Sequence, residues 1–312
     1  MGKTSSKEEA TEAHDLMDRV ENEGPGAIVK HVRENLDRWK TEELKIGISG
    51  RIKTGKSTFI NAVLGLRPNQ PGAAKSGSGN TTQHVTPYPH PRNDKIVLFD
   101  FPGVGTEEHP KSKYMTKVNA SECRFTDVGE FSQLLNHMEN NISSLKFESI
   151  LFSISAISKE VIEKKYQKLK SRVRTVSVGA AAISAEPIPI IDLVINIKLL
   201  IYELNHYIDT FGITMDIIES LPAEVKERLN VWSILTKSGT ALVVFITQQI
   251  GKAAAVVESL ADFVFPIIGS LISAPTTYFI VRNFLSKHLD QMKEDAIIVY
   301  DNVLHAQTHL HN

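Results

Sequence analysis

The stretch GISGRIKTGKSTFINAVLG, at residues 47–65, constrains the fold of this chain more than any other feature. It matches G-x-x-x-x-G-K-[ST], a pattern whose glycines let successive backbone N–H groups turn inward around phosphate oxygens. The matching residues are Gly50, Gly55, Lys56 and Ser57. The pattern acts in this way only between a β-strand and a helix, whose N-terminus adds a favourable dipole. It therefore predicts a strand–loop–helix unit that binds phosphate groups.

The flanking residues support that arrangement. Leu44, Ile46 and Ile48 alternate with polar or small residues, as in a strand that leads into the loop. Residues 56–64 are predicted to form the helix, and Gly65 is a natural helix end. The alternative is a coincidental glycine-rich turn before a helix, and the presence of all four fixed positions in this context argues against it.

A second motif closes the run KIVLFDFPG, at residues 95–103. The continuous apolar run suits a strand buried on both faces, and Asp100 and Gly103 fit the D-x-x-G motif of GTPases. In that motif the carboxylate holds the Mg²⁺ shell through water, and the glycine amide senses the γ-phosphate. Between the two motifs, the polar residues 66–83 are predicted to form a flexible loop. There Thr81 and Thr82 either close on Mg²⁺ or are ordinary solvated turn residues.

Composition and charge narrow the class of protein. The 312 residues are 42% apolar and 23% charged, as in a soluble globular protein of one large or two ordinary domains. The formal net charge of −1 gives no global reason to expect binding to nucleic acid or to an anionic membrane. Cys123 is the only cysteine, which fits a reducing cytosol. The charge balance leads us to expect no nucleic-acid partner. The first residues are polar and do not resemble a signal peptide, so we expect a cytoplasmic protein.

Beyond residue 124, strand signals fade and helical periodicity takes over. We predict an N-terminal helical segment at residues 1–43, a truncated α/β domain with few parallel strands at residues 44–145, and a mainly α-helical domain at residues 146–312. The helices predicted after residue 124 span residues 128–145, 158–174, 190–207, 213–235 and 240–262.

Four segments together resemble the immunity-related GTPases, which are interferon-inducible relatives of the dynamin-like enzymes. These segments are GRIKTGKSTFINAVLG, TTQHVTPYPHP, IVLFDFPGVGT and GAAAISAEPIPIIDLVINIKLLIYELNHYIDTFGI. The resemblance implies a P-loop G domain flanked by N- and C-terminal helices that form one helical domain. It also implies binding of GTP, GDP and Mg²⁺, hydrolysis of GTP that depends on dimerisation across the nucleotide, and a role in cell-autonomous defence. The expected partners are intracellular membranes, further copies of the chain and related GTPases.

The predicted site residues combine the motifs with this resemblance. Lys56 is expected to reach the β- and γ-phosphates, the Ser57 hydroxyl to bind Mg²⁺, and the family's switch threonine, aligned on TPYPHP, to fall on Thr82. The predicted nucleotide-binding residues are Gly50, Arg51, Ile52, Lys53, Thr54, Gly55, Lys56, Ser57, Thr58, Asp100 and Gly103. The predicted metal ligands are Ser57, Thr82 and Asp100, and the predicted catalytic residues are Lys56, Thr82 and Gly103.

Part of the expected G domain is absent from the sequence. Guanine is normally read by [NT]-K-x-D, and the nearest match after Asp100, at residues 116–119, ends in Asn119, whose amide offers one acceptor where two are wanted. The family would place two or three further strand–helix units, about 60 to 90 residues, between Asn119 and Phe125. Without them the strand before the phosphate loop becomes an exposed edge. We expect GTP hydrolysis to be impaired because the guanine-specificity segment is absent. Val104 stands where Ras-type GTPases carry a water-positioning Gln, so no catalytic base is visible in the sequence.

The N-terminus predicts a lipid anchor. MGKTSSK fits M-G-x-x-x-[ST], which makes Gly2 a candidate for myristoylation, and we expect peripheral association with membranes. An uncharged run at residues 263–281 is long enough to span a bilayer, but its prolines and glycine favour buried helix ends. His305, His309 and His311 have a spacing that suits a metal, but a solvated tail explains them better.

Two other functions fit the same sequence. One is a nucleotide-independent or non-hydrolysing regulator that binds full-length relatives through its helices. The other is an ATPase, because the phosphate loop does not read the base.

Overall fold

The computed structural model of the protein describes residues 25–51, 53–75, 82, 84–103, 131–156, 158–184, 189–237, 239–261 and 274–309. The chain divides into two compact units, Arg38–Val161 and a second unit made of Met1–Asp37 with Ile162–Asn312. We call the first the sheet unit and the second the helical unit.

The elements are numbered along the chain within the described residues. The strands are β1 (Leu44–Ile48), β2 (Thr86–His90) and β3 (Asn93–Asp100), and a short 3₁₀ helix spans Arg38–Thr41. The helices are α1 (Pro25–Leu36), α2 (Lys56–Leu64), α3 (Phe131–Asn141), α4 (Ser144–Ser153), α5 (Lys159–Ile183), α6 (Pro189–Phe211), α7 (Met215–Glu219), α8 (Ala223–Lys226), α9 (Trp232–Leu235), α10 (Gly239–Ala261) and α11 (Ala274–His309).

The three strands form one mixed sheet in the order β1-β3-β2. β1 and β3 run parallel, and their register places Ile48 opposite Asp100. This pair and the helix α2, which ends at Gly65 in the left-handed conformation (φ 69°), confirm the predicted strand–loop–helix unit. The parallel register brings the ends of both motifs to the same edge of the sheet.

Strand β2 is the part of the sheet that periodicity does not predict. It runs antiparallel to β3 and places Thr86 opposite Asp100, within a segment expected to follow directly from a flexible loop. Pro87 and Pro89 weaken a strand signal because proline cannot donate to a ladder. Here β2 pairs with β3 alone among the described strands, which is a position where proline is tolerated.

Strand β1 lies at the other end of the sheet as far as the described residues extend. Its buried residue is Leu44, while Ile46 and Ile48 are only half-buried and Lys45 is exposed. This agrees with the expectation that the strand before the phosphate loop lacks a neighbour on one side.

Helix α4 completes the core of the sheet unit by packing against β1, β3 and the 3₁₀ helix. Phe147, Leu151 and Phe152 are buried in it, and the ring of Phe152 meets Trp39 edge-on with centroids 5.4 Å apart. The prediction of one helix over residues 128–145 is wrong, because Ser143 adopts an extended conformation and accepts a hydrogen bond from the Lys146 backbone N–H. The chain therefore ends one helix and begins another there.

In the helical unit, α6, α10 and α11 pack against one another, and α1 packs against α6. The prediction of a helix over residues 213–235 is wrong, since this segment forms three short helices separated by Leu221-Pro222 and by residues 229–231. Gly179 of α5 allows a close approach to α1, because a Cβ there would lie 2.7 Å from Val32 Cγ2. None of the described helices has both the length and the apolar character needed to cross a membrane. Residues 263–273 of the uncharged run lie outside the described residues.

Candidate nucleotide-binding site

The phosphate loop folds back on itself between β1 and α2. The Thr54 hydroxyl and the Lys56 ammonium group both donate to the Arg51 carbonyl, at 2.8 Å and 3.0 Å. Gly55 has a φ of 79°, which a residue with a side chain rarely adopts, and the helix begins at the next residue. Lys53 also has a positive φ, of 65°. The loop therefore has the tight local geometry that its glycine pattern predicts.

Gly50 lies close to other residues of the phosphate loop. A Cβ at this position would lie 3.3 Å from the Thr54 hydroxyl oxygen and 3.8 Å from Cδ of Lys56. Thr58 is exposed on the first turn of α2, and Ile52 lies outside the described residues.

Two hydroxyl groups converge on Asp100 at the end of β3. Ser57 Oγ donates to Asp100 Oδ2 at 2.8 Å, and Thr82 Oγ1 donates to the same oxygen at 3.0 Å. The structure thus brings together all three residues predicted as metal ligands. They meet beyond the carboxyl ends of parallel strands, where α/β sheets bind their ligands.

The second oxygen of this carboxylate has no partner among the described residues. Asp100 is fully buried, and its Oδ1 atom makes no hydrogen bond. An unsatisfied buried carboxylate oxygen is costly and rare in folded proteins, so it points to a bound ion or water. One carboxylate and two hydroxyl oxygens are hard donors of the kind that Mg²⁺ prefers, and the residues present therefore fit that ion.

The described residues contain no cluster of three or more His, Cys, Asp and Glu side chains that would suit a metal. The Asp100 site is not such a group, because two of its three oxygen donors are hydroxyls. The side chains of His305, His309 and His311 lie outside the described residues.

The segment after Asp100 is held against β1. The Phe101 backbone N–H donates to the Ile48 carbonyl at 3.0 Å, and the Phe101 ring lies over Gly47, where a Cβ would come within 2.9 Å of it. Gly103 is buried close by along the chain. Residues 104–130, which include Val104 and the near match to the guanine motif, lie outside the described residues.

Two residues near the site were not predicted from the sequence. Tyr88 of β2 lies close enough to Asp100 for its ionisation to respond: burial raises the pKa of the phenol, the charge of Asp100 raises it further, and a hydrogen bond from the Lys75 backbone lowers it. Asn61 of α2 is buried and bonds to Ala74 through both atoms of its amide. The sequence did carry one sign of this role, because Asn61 is a polar residue within the apolar run FINAVL.

These observations define a class, the P-loop proteins, in which a glycine loop between a strand and a helix works with an acidic residue on a neighbouring strand. Comparison with known proteins refines it. The family described as Interferon-inducible GTPase (IIGP) matches residues 10–129. Rat "Interferon-inducible GTPase 5" is 23% identical over 354 residues, which covers 85% of this chain and 76% of the rat protein. These matches support an assignment of the chain to the immunity-related GTPase family.

Two mouse proteins are more similar over shorter stretches. "T-cell-specific guanine nucleotide triphosphate-binding protein 2" is 33% identical over 35% of this chain and 26% of its own length. "Interferon-inducible GTPase 1" is 35% identical over 30% of this chain and 23% of its own length. The aligned region thus covers only about a quarter of the length of each of these two mouse proteins.

The length of the rat alignment bears on the missing segment. It runs over 354 residues, yet it covers only 85% of a chain of 312 residues. Part of the aligned rat protein therefore has no counterpart in this chain. This agrees with the expectation of an internal loss, while its position within the G domain stays a prediction.

Proposed function

We propose that this chain binds GTP and GDP with Mg²⁺ through residues 50–58, Thr82, Asp100 and Gly103, and that it hydrolyses GTP slowly. The observation that carries the proposal is the convergence of the Ser57 and Thr82 hydroxyls on a buried carboxylate whose other oxygen has no partner. Similarity to the interferon-inducible GTPases supports the choice of nucleotide.

Each side chain has a role that follows from its charge and place. Lys56 already lies across the loop and would neutralise charge on the β- and γ-phosphates, while the loop N–H groups would bind their oxygens. Ser57, Thr82 and Asp100 would hold Mg²⁺, which supplies charge neutralisation at the phosphates. The Gly103 N–H would sense the γ-phosphate. Hydrolysis would be an in-line attack by water, and it would be slow because no water-positioning residue is assigned.

The central test is titration with GTP, GDP and ATP in the presence and absence of Mg²⁺. Lys56→Ala removes a charge-assisted contact and should lower nucleotide affinity at least about tenfold. Lys45→Ala is the matched control, since Lys45 is an exposed lysine on the adjoining strand. Equal binding by wild type and Lys56→Ala would contradict the assigned site, and an absence of all binding would favour the nucleotide-independent regulator.

Base selection should be weak, because the motif that reads guanine is absent from the sequence. We expect the ratio of GTP to ATP affinity to stay below about a thousand, which corresponds to about 4 kcal/mol. The same titrations measure this ratio. A larger value would mean that another residue reads the base, and tighter binding of ATP than of GTP would favour an ATPase.

The proposal also includes association with intracellular membranes through an acylated Gly2, and a role there in cell-autonomous defence. One myristoyl chain gives only marginal binding, and Lys3 and Lys7 can add about 1 kcal/mol each near an anionic leaflet. Gly2→Ala should shift the protein towards the cytosol on fractionation, and salt should weaken what remains bound. An N-terminus found unmodified by mass spectrometry, with membrane association unchanged, would contradict the lipid anchor. Assembly with itself or with related GTPases is part of the same proposal.

A further inference from the structure

Two side chains meet on one backbone carbonyl of the phosphate loop. The Thr54 hydroxyl donates to the Arg51 carbonyl oxygen at 2.8 Å, and the Lys56 ammonium group donates to the same oxygen at 3.0 Å. A carbonyl oxygen has two lone pairs, so it can accept both hydrogen bonds at once. The Arg51 carbonyl therefore links the Thr54 hydroxyl to the lysine that is expected to reach the β- and γ-phosphates.

Gly50 leaves the space in which these two side chains lie. A Cβ at Gly50 would come within 3.3 Å of the Thr54 hydroxyl oxygen and 3.9 Å of Cγ of Lys56. The hydroxyl and the methylene groups of Lys56 thus lie over the same bare stretch of backbone. Thr54 is exposed at the surface, so packing in the core does not explain where its side chain lies.

The contact with the carbonyl restricts Lys56 without using up its charge. An ammonium group has three N–H donors, and a bond to one carbonyl leaves others for phosphate oxygens. The lysine side chain is long and flexible, so binding a ligand through it costs conformational entropy. When the side chain is held in place beforehand, less of that cost falls on the binding step.

We propose that Thr54 is a positioning residue for Lys56: its hydroxyl fixes the direction of the Arg51 carbonyl, and that carbonyl holds the ammonium group where it can meet the phosphates. The inference rests on the proposed function, in which Lys56 binds the β- and γ-phosphates. It gives Thr54 a role that needs no contact between its side chain and the nucleotide.

A role in the shape of the loop alone predicts something different. If Thr54 only closed the loop, its loss would disturb the loop N–H groups and weaken nucleotide binding whether or not Lys56 is present. If Thr54 acts through Lys56, its loss should have little effect once Lys56 has been removed. A double-mutant cycle on these two residues separates the two roles.

The experiment measures the dissociation constant of a fluorescent GDP analogue for the full chain in Mg²⁺. Thr54→Val removes the hydroxyl but keeps the shape, and it should raise this constant by about three- to tenfold. Thr54→Ser keeps the hydroxyl and should restore binding. In Lys56→Ala, the added Thr54→Val should change the constant by less than about twofold. Thr41→Val is the matched control, because the exposed Thr41 hydroxyl donates to the Arg38 carbonyl at 2.8 Å outside the phosphate loop.

A second measurement keeps the test decisive if Lys56→Ala binds too weakly for the cycle. The rate at which acetic anhydride acetylates Lys56 is followed by mass spectrometry, with the exposed Lys45 as the internal reference. Acetylation of Lys56 should be faster in Thr54→Val, where the ammonium group is held less firmly, and should keep the wild-type rate in Thr54→Ser.

Three results would overturn the inference and leave the proposed function standing. They are wild-type affinity in Thr54→Val, an equal loss of affinity with and without Lys56, and an unchanged rate of acetylation. Thr54→Ala removes the same hydroxyl and replaces Thr54→Val in each comparison if that variant does not fold. A wild type that binds no nucleotide would overturn both the inference and the proposed function.

Discussion

Two buried ionic groups, one in each unit of this protein, differ in how completely their hydrogen bonds are satisfied. In the helical unit, the Arg172 guanidinium donates to both carboxylate oxygens of Glu203, at 2.9 Å and 3.0 Å, and to the Leu36 carbonyl. In the sheet unit, Asp100 receives two hydrogen bonds on one oxygen and none from the described residues on the other. The first arrangement is closed, and the second is open.

A buried carboxylate whose oxygens all have protein partners stabilises the fold, whereas one with an unpartnered oxygen is suited to bind a ligand. Asp295 of α11 is another closed case, because its two oxygens accept from the Asn230 backbone and side chain and from the Val231 backbone. A buried network that is fully satisfied can fix helix packing, whereas a partly satisfied one costs stability until something binds. Breaking each kind should therefore have a different consequence.

The largest expected effect comes from breaking the closed pair. Arg172→Met leaves the Glu203 charge buried and unpaired, so the free energy of unfolding should fall by about 3–5 kcal/mol. Urea denaturation measures the loss. The double variant Arg172→Met with Glu203→Leu should recover much of it, since no lone charge remains. A loss below about 1 kcal/mol for the single variant would contradict the account of this pair.

Packing in the helical unit should also be sensitive to small changes. Gly179→Ala places a Cβ against Val32 of α1, and overpacking of this kind costs about 1–3 kcal/mol. The measurement is again urea denaturation, with Val32→Ala added as the compensating change. If Gly179→Ala is as stable as wild type, then α1 does not lie as close to α5 as described.

Removing the charge at Asp100 should not destabilise the protein, in contrast to breaking the Arg172–Glu203 pair. Asp100→Asn removes a buried charge, so without nucleotide the protein should keep its stability or gain up to about 1 kcal/mol. Thermal unfolding in EDTA measures this, and Asp295→Asn is the matched control, because it weakens a closed set of hydrogen bonds and should destabilise. A strong loss of stability in Asp100→Asn would mean that this carboxylate holds the fold.

The smallest effect is a dependence of stability on pH in the helical unit. Burial lowers the pKa of His288, a hydrogen bond with the Phe284 carbonyl opposes this, and Lys287 lowers the pKa further. Since the unfolded chain then binds the proton more tightly, the stability that neutral His288 contributes is present above about pH 6.5 and is lost as the pH falls. His288→Asn should flatten this slope in urea denaturation from about pH 8 to about pH 5.5. An unchanged slope would exclude His288 as its source.

The parts predicted from the sequence are those that local patterns specify. The phosphate loop, its strand and helix, and Asp100 at the end of β3 depend on short motifs whose residues lie close together in the chain. Strand β2 was not predicted, because its prolines weaken the strand signal in the sequence. The break between helices at Ser143 was not predicted, because serine also occurs within helices.

The parts that escaped prediction depend on contacts between distant residues. Arg172 and Glu203 read as ordinary charges on helix surfaces, and only the packing of α5 against α6 shows that they pair in the interior. The bond from Asn61 to Ala74 likewise joins a helix to a loop that has no periodic pattern. Such contacts have no signature in one sequence, because nothing local distinguishes a residue with a partner from one that faces water.

The most direct test of the account is a Mg²⁺ titration of wild-type protein with a fluorescent GDP analogue held at constant concentration. If the open carboxylate is a site for Mg²⁺ and nucleotide, bound fluorescence should rise with Mg²⁺ and saturate, and Asp100→Asn should abolish the rise while weak binding through the phosphate loop remains. Binding of the analogue that is the same with and without Mg²⁺, in both proteins, would contradict the central claim.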